Sequence, residues 1–368
     1  MSRIDIPWSL PEIGNQELSE VRKVFELNWL SMGPKVRKFE EIMAEYIGVP
    51  HAVAVSNGTT ALDLAMKVLG IGPGDEVIVP AMTYFATTAM VSYQFAVPVF
   101  VDIEESSYNL DPDKVESAIG SKTKAILFID YGGNSADIRG LQAITEKHGL
   151  TLLHDAAQSL GGVYYGSRLG SQTKVSTMSF HMAKIMTTVE GGMIFIHDPD
   201  IAKELKIRRN QGESGKYLHS HLGTNARMTD LSAAIGLAQV KKLPRLLEER
   251  KQVAELYNSY FDNQTGIEII RCQRPNSSNS YFFYPILVEN RDVVVQRLNE
   301  KGIDTRIAYP MPVYNQEMYR NGCSPCKVTD CPVAERFTSR VINLPIFPSL
   351  SNKQVDYISA EVLEAVES

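Results

Sequence analysis

Four cysteines in 368 residues are too few for a disulfide scaffold, which excludes the class of small cross-linked secreted proteins. No uninterrupted apolar run approaches the roughly 18 residues that a membrane span needs. The first residues, 1–7, lack the apolar stretch of a signal peptide. Basic residues are not in excess, and a net charge of −6 provides no electrostatic footprint for nucleic acid or for an anionic membrane. We therefore expect a soluble cytoplasmic protein with neither nucleic-acid nor membrane partners.

Short apolar segments alternate with helix-like segments from about residue 50 onwards. The strand-like segments are 51–55, 76–80, 98–102, 124–129, 151–154, 176–180 and 192–196. Strands that alternate with helices indicate an α/β fold, in which a mainly parallel central sheet is covered by helices on both faces.

The pattern changes near Met228. Residues 228–262 form one long helical pattern, which we expect to be interrupted at Pro244 because proline removes a helical hydrogen bond. Two strand-like segments (281–288 and 341–344) and two helical ones (292–301 and 352–366) follow, which predicts a smaller C-terminal α+β domain. We place the boundary near residue 245, so that residues 1–245 form the N-terminal arm and large domain and residues 246–368 the small domain.

The segment from Ser179 to Gly192 carries the first candidate for chemistry. A strand ends at Ser179, and the loop that follows contains Lys184, two threonines and a Gly-Gly pair before the next strand. Ligands of open α/β sheets bind outside the strand ends. A lysine alone is more often a solvated surface residue, but the apolar neighbours and the glycines at the loop exit favour a functional site here.

Three further segments place reactive or polar residues just past strand ends. Asp155 ends an apolar strand, where it either caps the next helix or lies buried beside a cationic ring. Gly58 follows the first strand and leads into a helix that opens with Thr59 and Thr60, an arrangement that suits phosphate as well as ordinary capping. Tyr84 lies beyond the second strand, where core packing is the usual role of an aromatic residue.

In this order the segments resemble the fold-type I enzymes that use pyridoxal 5′-phosphate (PLP), and within them the DegT/DnrJ/EryC1/StrS family of sugar aminotransferases. Members that make amino sugars such as perosamine look similar. The resemblance covers nearly the whole chain and rests on 29–34, 39–40, 58–62, 72–80, 131–137, 225–234 and 344–348. It implies the fold-type I PLP-dependent transferase architecture, with a large PLP-binding domain and the small C-terminal domain.

The resemblance also implies roles for individual residues. Lys184 would be the catalytic lysine that condenses with the PLP aldehyde and moves a proton, and Asp155 would keep the pyridine nitrogen protonated. The remaining cofactor contacts would come from Gly58, Thr59, Thr60 and Ser179 around the phosphate, Tyr84 and Ala157 on the two ring faces, Gln158 at the ring hydroxyl, and Asn225 of the partner subunit. His181 and Arg227 would line the substrate side of a site shared across a homodimer.

Two departures from the family pattern bear on the substrate rather than on the cofactor. The family often has Gly-Glu-Gly-Gly where this chain has 189–192 with Val189, and often has a proline after the Tyr131-Gly pair. Some relatives carry histidine in place of the lysine and act as dehydratases, and Lys184 argues against that branch.

The cysteines Cys323, Cys326 and Cys331 are not explained by the resemblance. Their spacing is compatible with a zinc or iron–sulfur site, with Cys272 as a possible fourth ligand, or with a loop of reduced thiols. We expect no metal at the active site.

The resulting functional expectation is transfer of an amino group, with L-glutamate as the donor, to a nucleotide-linked 3- or 4-keto sugar. One alternative keeps the cofactor but uses a free keto sugar or a keto-cyclitol as the acceptor. Another is a regulatory relative that has lost turnover. A nicotinamide oxidoreductase is disfavoured, because the glycines at 70, 72 and 74 do not match the dinucleotide fingerprint.

Overall fold

The computed structural model describes residues 6–271 and 274–367. The helices in these residues are α1 (Asn15–Leu27), α2 (Pro34–Ile47), α3 (Gly58–Val68), α4 (Phe85–Tyr93), α5 (Pro112–Ala118), α6 (Ile138–His148), α7 (Pro199–Arg208), α8 (Asp230–Phe261), α9 (Arg291–Glu300), α10 (Glu317–Arg320), α11 (Pro332–Arg340) and α12 (Asn352–Glu367). None of these helices is long and apolar enough to cross a membrane.

The strands are β1 (His51–Val55), β2 (Glu76–Pro80), β3 (Val97–Val101), β4 (Thr123–Ile129), β5 (Thr151–Asp155), β6 (Val163–Tyr164), β7 (Ser167–Arg168), β8 (Val175–Ser179), β9 (Gly192–Ile196), β10 (Glu213–Gly215), β11 (Leu218–His219), β12 (Ile267–Ile269), β13 (Tyr284–Val288), β14 (Lys327–Val328) and β15 (Val341–Leu344). The strand segments expected for the large sheet are all present, and their observed bounds differ from the expected ones by one residue at most.

The central sheet of the described residues has eight strands in the order β1-β9-β8-β5-β4-β2-β3-β14. Strand β9 is antiparallel to both of its neighbours, β1 and β8, whereas the other pairs are parallel. The expectation of a mainly parallel α/β sheet is therefore confirmed. Because β1, β5 and β8 run in the same direction, the residues after their carboxyl ends meet at one edge of the sheet.

Helix α8 is a single helix of 32 residues that passes through Pro244. The expected interruption at Pro244 is therefore wrong. Proline removes one backbone donor from a helix, but here the adjacent turns are held by packing, because Leu243 and Leu246 are buried.

The C-terminal part contains a second sheet, of antiparallel strands in the order β12-β13-β15. Helices α9 and α12 pack beside it, and a separate cluster of buried side chains extends from Val253 to Ala365 and includes Ile6. Strand β14 leaves this part of the chain and joins the edge of the large sheet next to β3. The division of the chain near residue 245 stays a prediction.

The carboxylate of Asp230, at the start of α8, holds the N-terminus of α2. Its Oδ1 accepts hydrogen bonds from the backbone N–H groups of Gly33 (2.8 Å) and Val36 (3.0 Å). A side chain on Gly33 would collide with Trp29 at 2.3 Å. These contacts explain why Trp29 and Gly33 stand together in the sequence, and they connect two distant helices.

Candidate active site

Asp155 lies at the carboxyl end of β5, and its carboxylate is buried. Thr87 on α4 donates a hydrogen bond to Oδ2 at 2.8 Å, and the backbone N–H of Ala157 donates to Oδ1 at 3.2 Å. Burial raises the pKa of Asp155, whereas these two hydrogen bonds and the positive charge of Lys184 oppose the rise. In the described residues no basic side chain forms an ion pair with this carboxylate, so its charge is available to a cationic ligand.

Lys184 follows β8, and its amine lies over an aromatic ring. The Nζ atom is 4.2 Å from the centroid of the Phe282 ring, a cation–π geometry. Removal from water lowers the pKa of Lys184 to about 8, and the negative charge of Asp155 only partly opposes this shift. A lysine in this state is a nucleophile close to neutral pH.

The loop that carries Lys184 is held on both sides by backbone and side-chain hydrogen bonds. The N–H of Phe180 donates to the carbonyl of Gly191 at 2.8 Å, and the N–H of Thr188 donates back to the carbonyl of Phe180 at 2.9 Å. The hydroxyl of Thr187 also donates to this carbonyl, at 3.2 Å. The loop is therefore a closed turn whose shape fixes the position of the lysine.

The N-terminus of α3 and the end of β8 approach each other closely. A Cβ on Gly58 would lie 2.9 Å from the Cβ of Ser179, so only glycine allows this approach. Asn57 caps the helix by accepting a hydrogen bond from the N–H of Thr60 at 2.8 Å. The preceding N–H groups have no acceptor in their own helix, which makes this end of α3 suitable for an anion, and Thr59 is exposed beside it.

Gln158 uses both ends of its amide within the protein. Its Oε1 accepts a hydrogen bond from the N–H of Gly132 at 2.7 Å, and its Nε2 donates to the hydroxyl of Tyr309 at 3.0 Å. The ring centroid of Tyr309 is 6.1 Å from that of Tyr84, whose side chain is 59% exposed. Ala157, the residue expected under a bound ring, is partly exposed at the same strand end.

Asn225 and Arg227 lie on a segment that pairs with the end of β1. Arg227 forms a bridge with Val55, and its guanidinium donates a hydrogen bond to the side chain of Asn210. The side chain of Asn225 is exposed. His181 is also exposed, with its Nε2 3.8 Å from the carboxylate of Glu190. These three residues are near the strand ends, and the contacts that Arg227 and His181 make within the protein do not by themselves assign a role to them.

A buried cluster behind the site ties the ends of β4 and β5 together. His154 Nε2 lies 2.7 Å from Asp130 Oδ2, which also accepts a hydrogen bond from the hydroxyl of Ser159 at 2.7 Å. The imidazole stacks on Phe128 with its centroid 4.3 Å away. Because His154 precedes Asp155 on β5, this cluster fixes the strand end that presents the carboxylate.

Sequence reasoning missed three residues of the site: Thr87, Phe282 and Tyr309. Thr87 could have been found, because it lies in the helix that directly follows the segment 80–85 just past a strand end. Thr83 donates to Thr87 at 2.9 Å, which continues the chain of hydrogen bonds to Asp155. Phe282 and Tyr309 have no comparable signal, since they come from the C-terminal part of the chain.

The three described cysteines are free thiols away from this constellation. Cys323 is exposed, Cys326 is partly exposed and Cys331 is buried, and burial raises the pKa values of the Cys326 and Cys331 thiols. Within residues 6–271 and 274–367, no three His, Cys, Asp or Glu side chains form a group that could hold a metal. Cys272, the suggested fourth ligand, lies outside the described residues, so the metal hypothesis stays untested.

The chain is similar to curated proteins over nearly its whole length. It is 34% identical to the spore coat polysaccharide biosynthesis protein SpsC of Bacillus subtilis, covering 98% of this chain and 96% of the relative. It is 34% identical to the GDP-perosamine synthase of Escherichia coli O157:H7, covering 98% of each. It is also 34% identical to the dTDP-3-amino-3,4,6-trideoxy-alpha-D-glucose transaminase of Streptomyces venezuelae, covering 99% of this chain and 94% of the relative.

Solved structures of similar proteins have the same fold. DesV of Streptomyces venezuelae superimposes with a TM-score of 0.92 at 34% identity, covering 96% of this chain and 94% of that one. The PLP form of the putative sugar aminotransferase Spr1654 of Streptococcus pneumoniae superimposes with a TM-score of 0.92 at 31% identity, covering 98% of each chain. The fold-type I architecture and PLP as the cofactor are thereby confirmed.

The model of the DegT/DnrJ/EryC1/StrS aminotransferase family matches residues 11–363. This match spans the central sheet, the loop that carries Lys184 and the C-terminal sheet. The chain therefore belongs to the DegT/DnrJ/EryC1/StrS aminotransferase family and is a PLP-dependent aminotransferase.

Proposed function

We propose that this enzyme transfers an amino group from L-glutamate to a nucleotide-linked 3- or 4-keto sugar, and that it does so in the cytoplasm. The observation that carries the proposal is the pairing of Lys184, whose amine lies over the ring of Phe282, with a buried Asp155 that forms no ion pair with a basic side chain of the described residues. The named activities of the GDP- and dTDP-sugar relatives support the substrate class. The choice of L-glutamate rests on the family resemblance.

The residues at the strand ends fit PLP in charge and in shape. A buried carboxylate without a protein cation suits a protonated ring nitrogen, and the close approach of Gly58 to Ser179 beside the free end of α3 suits a phosphate. When bound, PLP supplies an aldehyde that captures the amino group and a ring that accepts the electrons released at the substrate carbon.

Asp155 and Lys184 have different roles in this reaction. Asp155 would hold a proton on the ring nitrogen, and its hydrogen bonds from Thr87 and Ala157 favour the charged carboxylate against the rise in pKa that burial causes. Lys184 Nζ would take the proton from the Cα of the amino donor and return a proton to the substrate carbon when the keto sugar is the partner. In this proposal the phosphate is bound by the residues at the start of α3 and the end of β8, namely Gly58, Thr59, Thr60 and Ser179.

The substrate side is formed by His181 and Arg227 in this proposal. Both have basic side chains near the strand ends, and His181 is exposed toward any ligand that enters there.

An absorbance spectrum tests the reaction. A yellow protein whose long-wavelength band is lost when L-glutamate is added supports transamination, and the absence of any such band contradicts it.

A panel of acceptors separates the substrate classes. The amino form of the enzyme is prepared with L-glutamate and freed of excess donor. Nucleotide-linked 3- and 4-keto sugars should then restore the original spectrum at low concentration. If free keto sugars or keto-cyclitols restore it equally well, the nucleotide-linked part of the proposal is wrong.

The pH dependence of cofactor capture should report the pKa of Lys184. At pH 8 about half of the Lys184 amines are neutral, compared with roughly one in 300 for a lysine of ordinary pKa. The rate of PLP attachment to the apo-protein should therefore rise with pH and level off above about 8. Stopped-flow absorbance measures this rate, and a midpoint close to that of free lysine would contradict the prediction.

Thr87→Val should weaken the charged form of Asp155. The substitution keeps the shape of the side chain and removes the hydroxyl that donates to Oδ2, so the pKa of Asp155 should rise further. Turnover should fall roughly tenfold at neutral pH, and the pH at which activity is lost on acidification should move upward by about one unit. Thr88→Val is the matched control, because the Thr88 hydroxyl donates to the carbonyl of Phe85 instead. Equal effects of the two substitutions would contradict the role of Thr87.

We also propose that two copies of the chain form a dimer with shared active sites. Large apolar side chains are exposed near the strand ends and on the first helix, among them Phe25, Trp29, Tyr84, Met182 and Leu222. Exposed apolar surface of this kind is typical of an interface. In this arrangement the exposed Asn225 of one subunit contacts the phosphate bound by the other.

Subunit mixing should reveal the shared site. Lys184→Ala and Asn225→Asp dimers should each be poorly active, the second because a carboxylate repels the phosphate. In a one-to-one mixture, half of the dimers are mixed and each has one intact site, so about a quarter of wild-type activity should return. A mixture of Lys184→Ala with Asp155→Asn is the control and should recover nothing, because each site then retains one defect. If subunits exchange and the first mixture also stays inactive, Asn225 acts within its own chain.

A further inference from the structure

Tyr309 brings a hydroxyl group from the C-terminal part of the chain to the cofactor side of the large sheet. Its phenol oxygen lies 3.0 Å from Gln158 Nε2, although the two residues are 151 positions apart. Its ring is tilted by 43° to that of Tyr84, with 6.1 Å between the centroids. Tyr309 thus contacts one residue that follows β2 and one that follows β5.

The backbone that carries Tyr309 is fixed from two directions. The hydroxyl of Tyr131 lies 2.5 Å from the carbonyl oxygen of Ala308. The backbones of Arg306 and Asn343 exchange hydrogen bonds of 3.1 and 2.8 Å. These contacts hold the segment against β15 and against the end of β4, so the phenol has a defined position.

The orientation of the Gln158 amide determines where the proton of the Tyr309 hydroxyl points. The N–H of Gly132 requires the amide oxygen on its side, so the amide nitrogen faces Tyr309 and donates to it. The phenol oxygen is therefore an acceptor in this contact, and its own proton points elsewhere. In the described residues no protein acceptor receives that proton.

The phenol stays protonated over the working range of pH. Burial raises the pKa of Tyr309 well above its usual value, and the neighbouring Tyr131 and Asp155 add to the rise. Tyr309 therefore has one hydrogen-bond donor to offer to a ligand, next to the amide of Gln158.

We propose, on the basis of the function proposed above, that Tyr309 donates this hydrogen bond to the ring oxygen of PLP. The sequence resemblance assigns that contact to Gln158. Gln158 Nε2 keeps a second proton for that contact, so in this proposal Tyr309 is an additional donor, which Gln158 holds in place by donating to the phenol oxygen.

The pKa of the bound chromophore tests this inference without any substrate. The ring oxygen shares a proton with the nitrogen of Lys184 when PLP is attached there. Without a donor from Tyr309, negative charge on the ring oxygen increases and holds that proton more tightly. In Tyr309→Phe the absorbance titration should therefore shift to higher pH by about one unit.

Gln158→Glu is a second variant that leaves Tyr309 in place. One carboxylate oxygen can still accept from Gly132, while the other accepts the proton of Tyr309 and turns it away from the ring. The titration should shift in the same direction as in Tyr309→Phe. Tyr314→Phe is the matched control, since its hydroxyl donates to Glu335 at 2.8 Å, and its titration should equal that of the wild type.

The possible results separate this inference from the proposed function. A wild-type protein with no PLP chromophore would contradict the proposed function itself. A wild-type chromophore that titrates identically in Tyr309→Phe would overturn the role of Tyr309, including the case in which only the KM for the keto sugar increases. Circular dichroism confirms that each variant is folded before it is titrated.

Discussion

Lys184→Ala is expected to abolish covalent attachment of PLP and to reduce turnover by about four orders of magnitude or more. The reason is that one amine performs both tasks: it binds the aldehyde of the cofactor and carries the proton between the donor and the cofactor. This amine lies over the ring of Phe282, and burial lowers its pKa to about 8. Among the lysines of the described residues whose pKa is shifted, Lys184 alone has a lowered pKa; the pKa of Lys301 is raised.

Borohydride reduction followed by peptide mapping measures the attachment. Wild-type protein should carry the reduced cofactor on the peptide that contains Lys184, and Lys184→Ala should carry none although it still binds PLP through its phosphate. Lys203→Ala is the control, because Lys203 is exposed on α7. Reduction that traps PLP on another lysine of the wild-type protein would show that the assignment is wrong.

Asp155→Asn should leave the fold intact and lower turnover by roughly three orders of magnitude or more. An amide has nearly the same shape as the carboxylate, so its oxygen can still accept from the N–H of Ala157, while its nitrogen would donate to the Thr87 hydroxyl and reverse the direction of that hydrogen bond. The amide lacks the negative charge that keeps the ring nitrogen protonated, and an unprotonated ring is a poor acceptor of electrons. The loss should therefore appear in kcat, with little change in the amount of PLP bound.

Asp102→Asn is a matched control for this substitution. Asp102 is also buried at the end of a strand segment, but its carboxylate accepts hydrogen bonds from Val333 and Ala334 at the start of α11. It should lose some stability through the weakened helix cap while its turnover per folded molecule stays within a few fold. Turnover of Asp155→Asn close to that of wild type would refute the role of Asp155.

The sequence was a good guide to the large sheet because its strands are short, apolar and separated by helices. Buried parallel strands need no alternation of polar residues, so their limits are marked by turns and by the first polar residue, as at Asp155 and Ser179. The direction of each strand was harder to predict, and β9 is antiparallel to both of its neighbours in a sheet whose other strand pairs are parallel. The expectation at Pro244 was wrong, because local propensity predicts a break that burial of the adjacent leucines overrides.

In the candidate site, too, the residues that could be predicted are those marked by their neighbours in the sequence. Lys184, Asp155 and Gly58 could be found because each lies at or just beyond the end of a strand, and parallel strands bring their carboxyl ends to a common edge of the sheet. Gln158 was also found, and its contact with the ring stays a prediction: the amide binds Gly132 and Tyr309 and keeps a second N–H on Nε2 for a ligand.

The sequence by itself determined the α/β architecture, the strand ends and the identity of the residues beyond them, since all of these depend on patterns within a few neighbouring positions. Only the tertiary structure decided which groups surround Lys184 and Asp155. Phe282 lies beneath the lysine and Tyr309 beside Gln158, and both come from the part of the chain beyond α8. Such contacts depend on how the C-terminal sheet packs against the large one, and that packing is set by many side chains distributed along the chain.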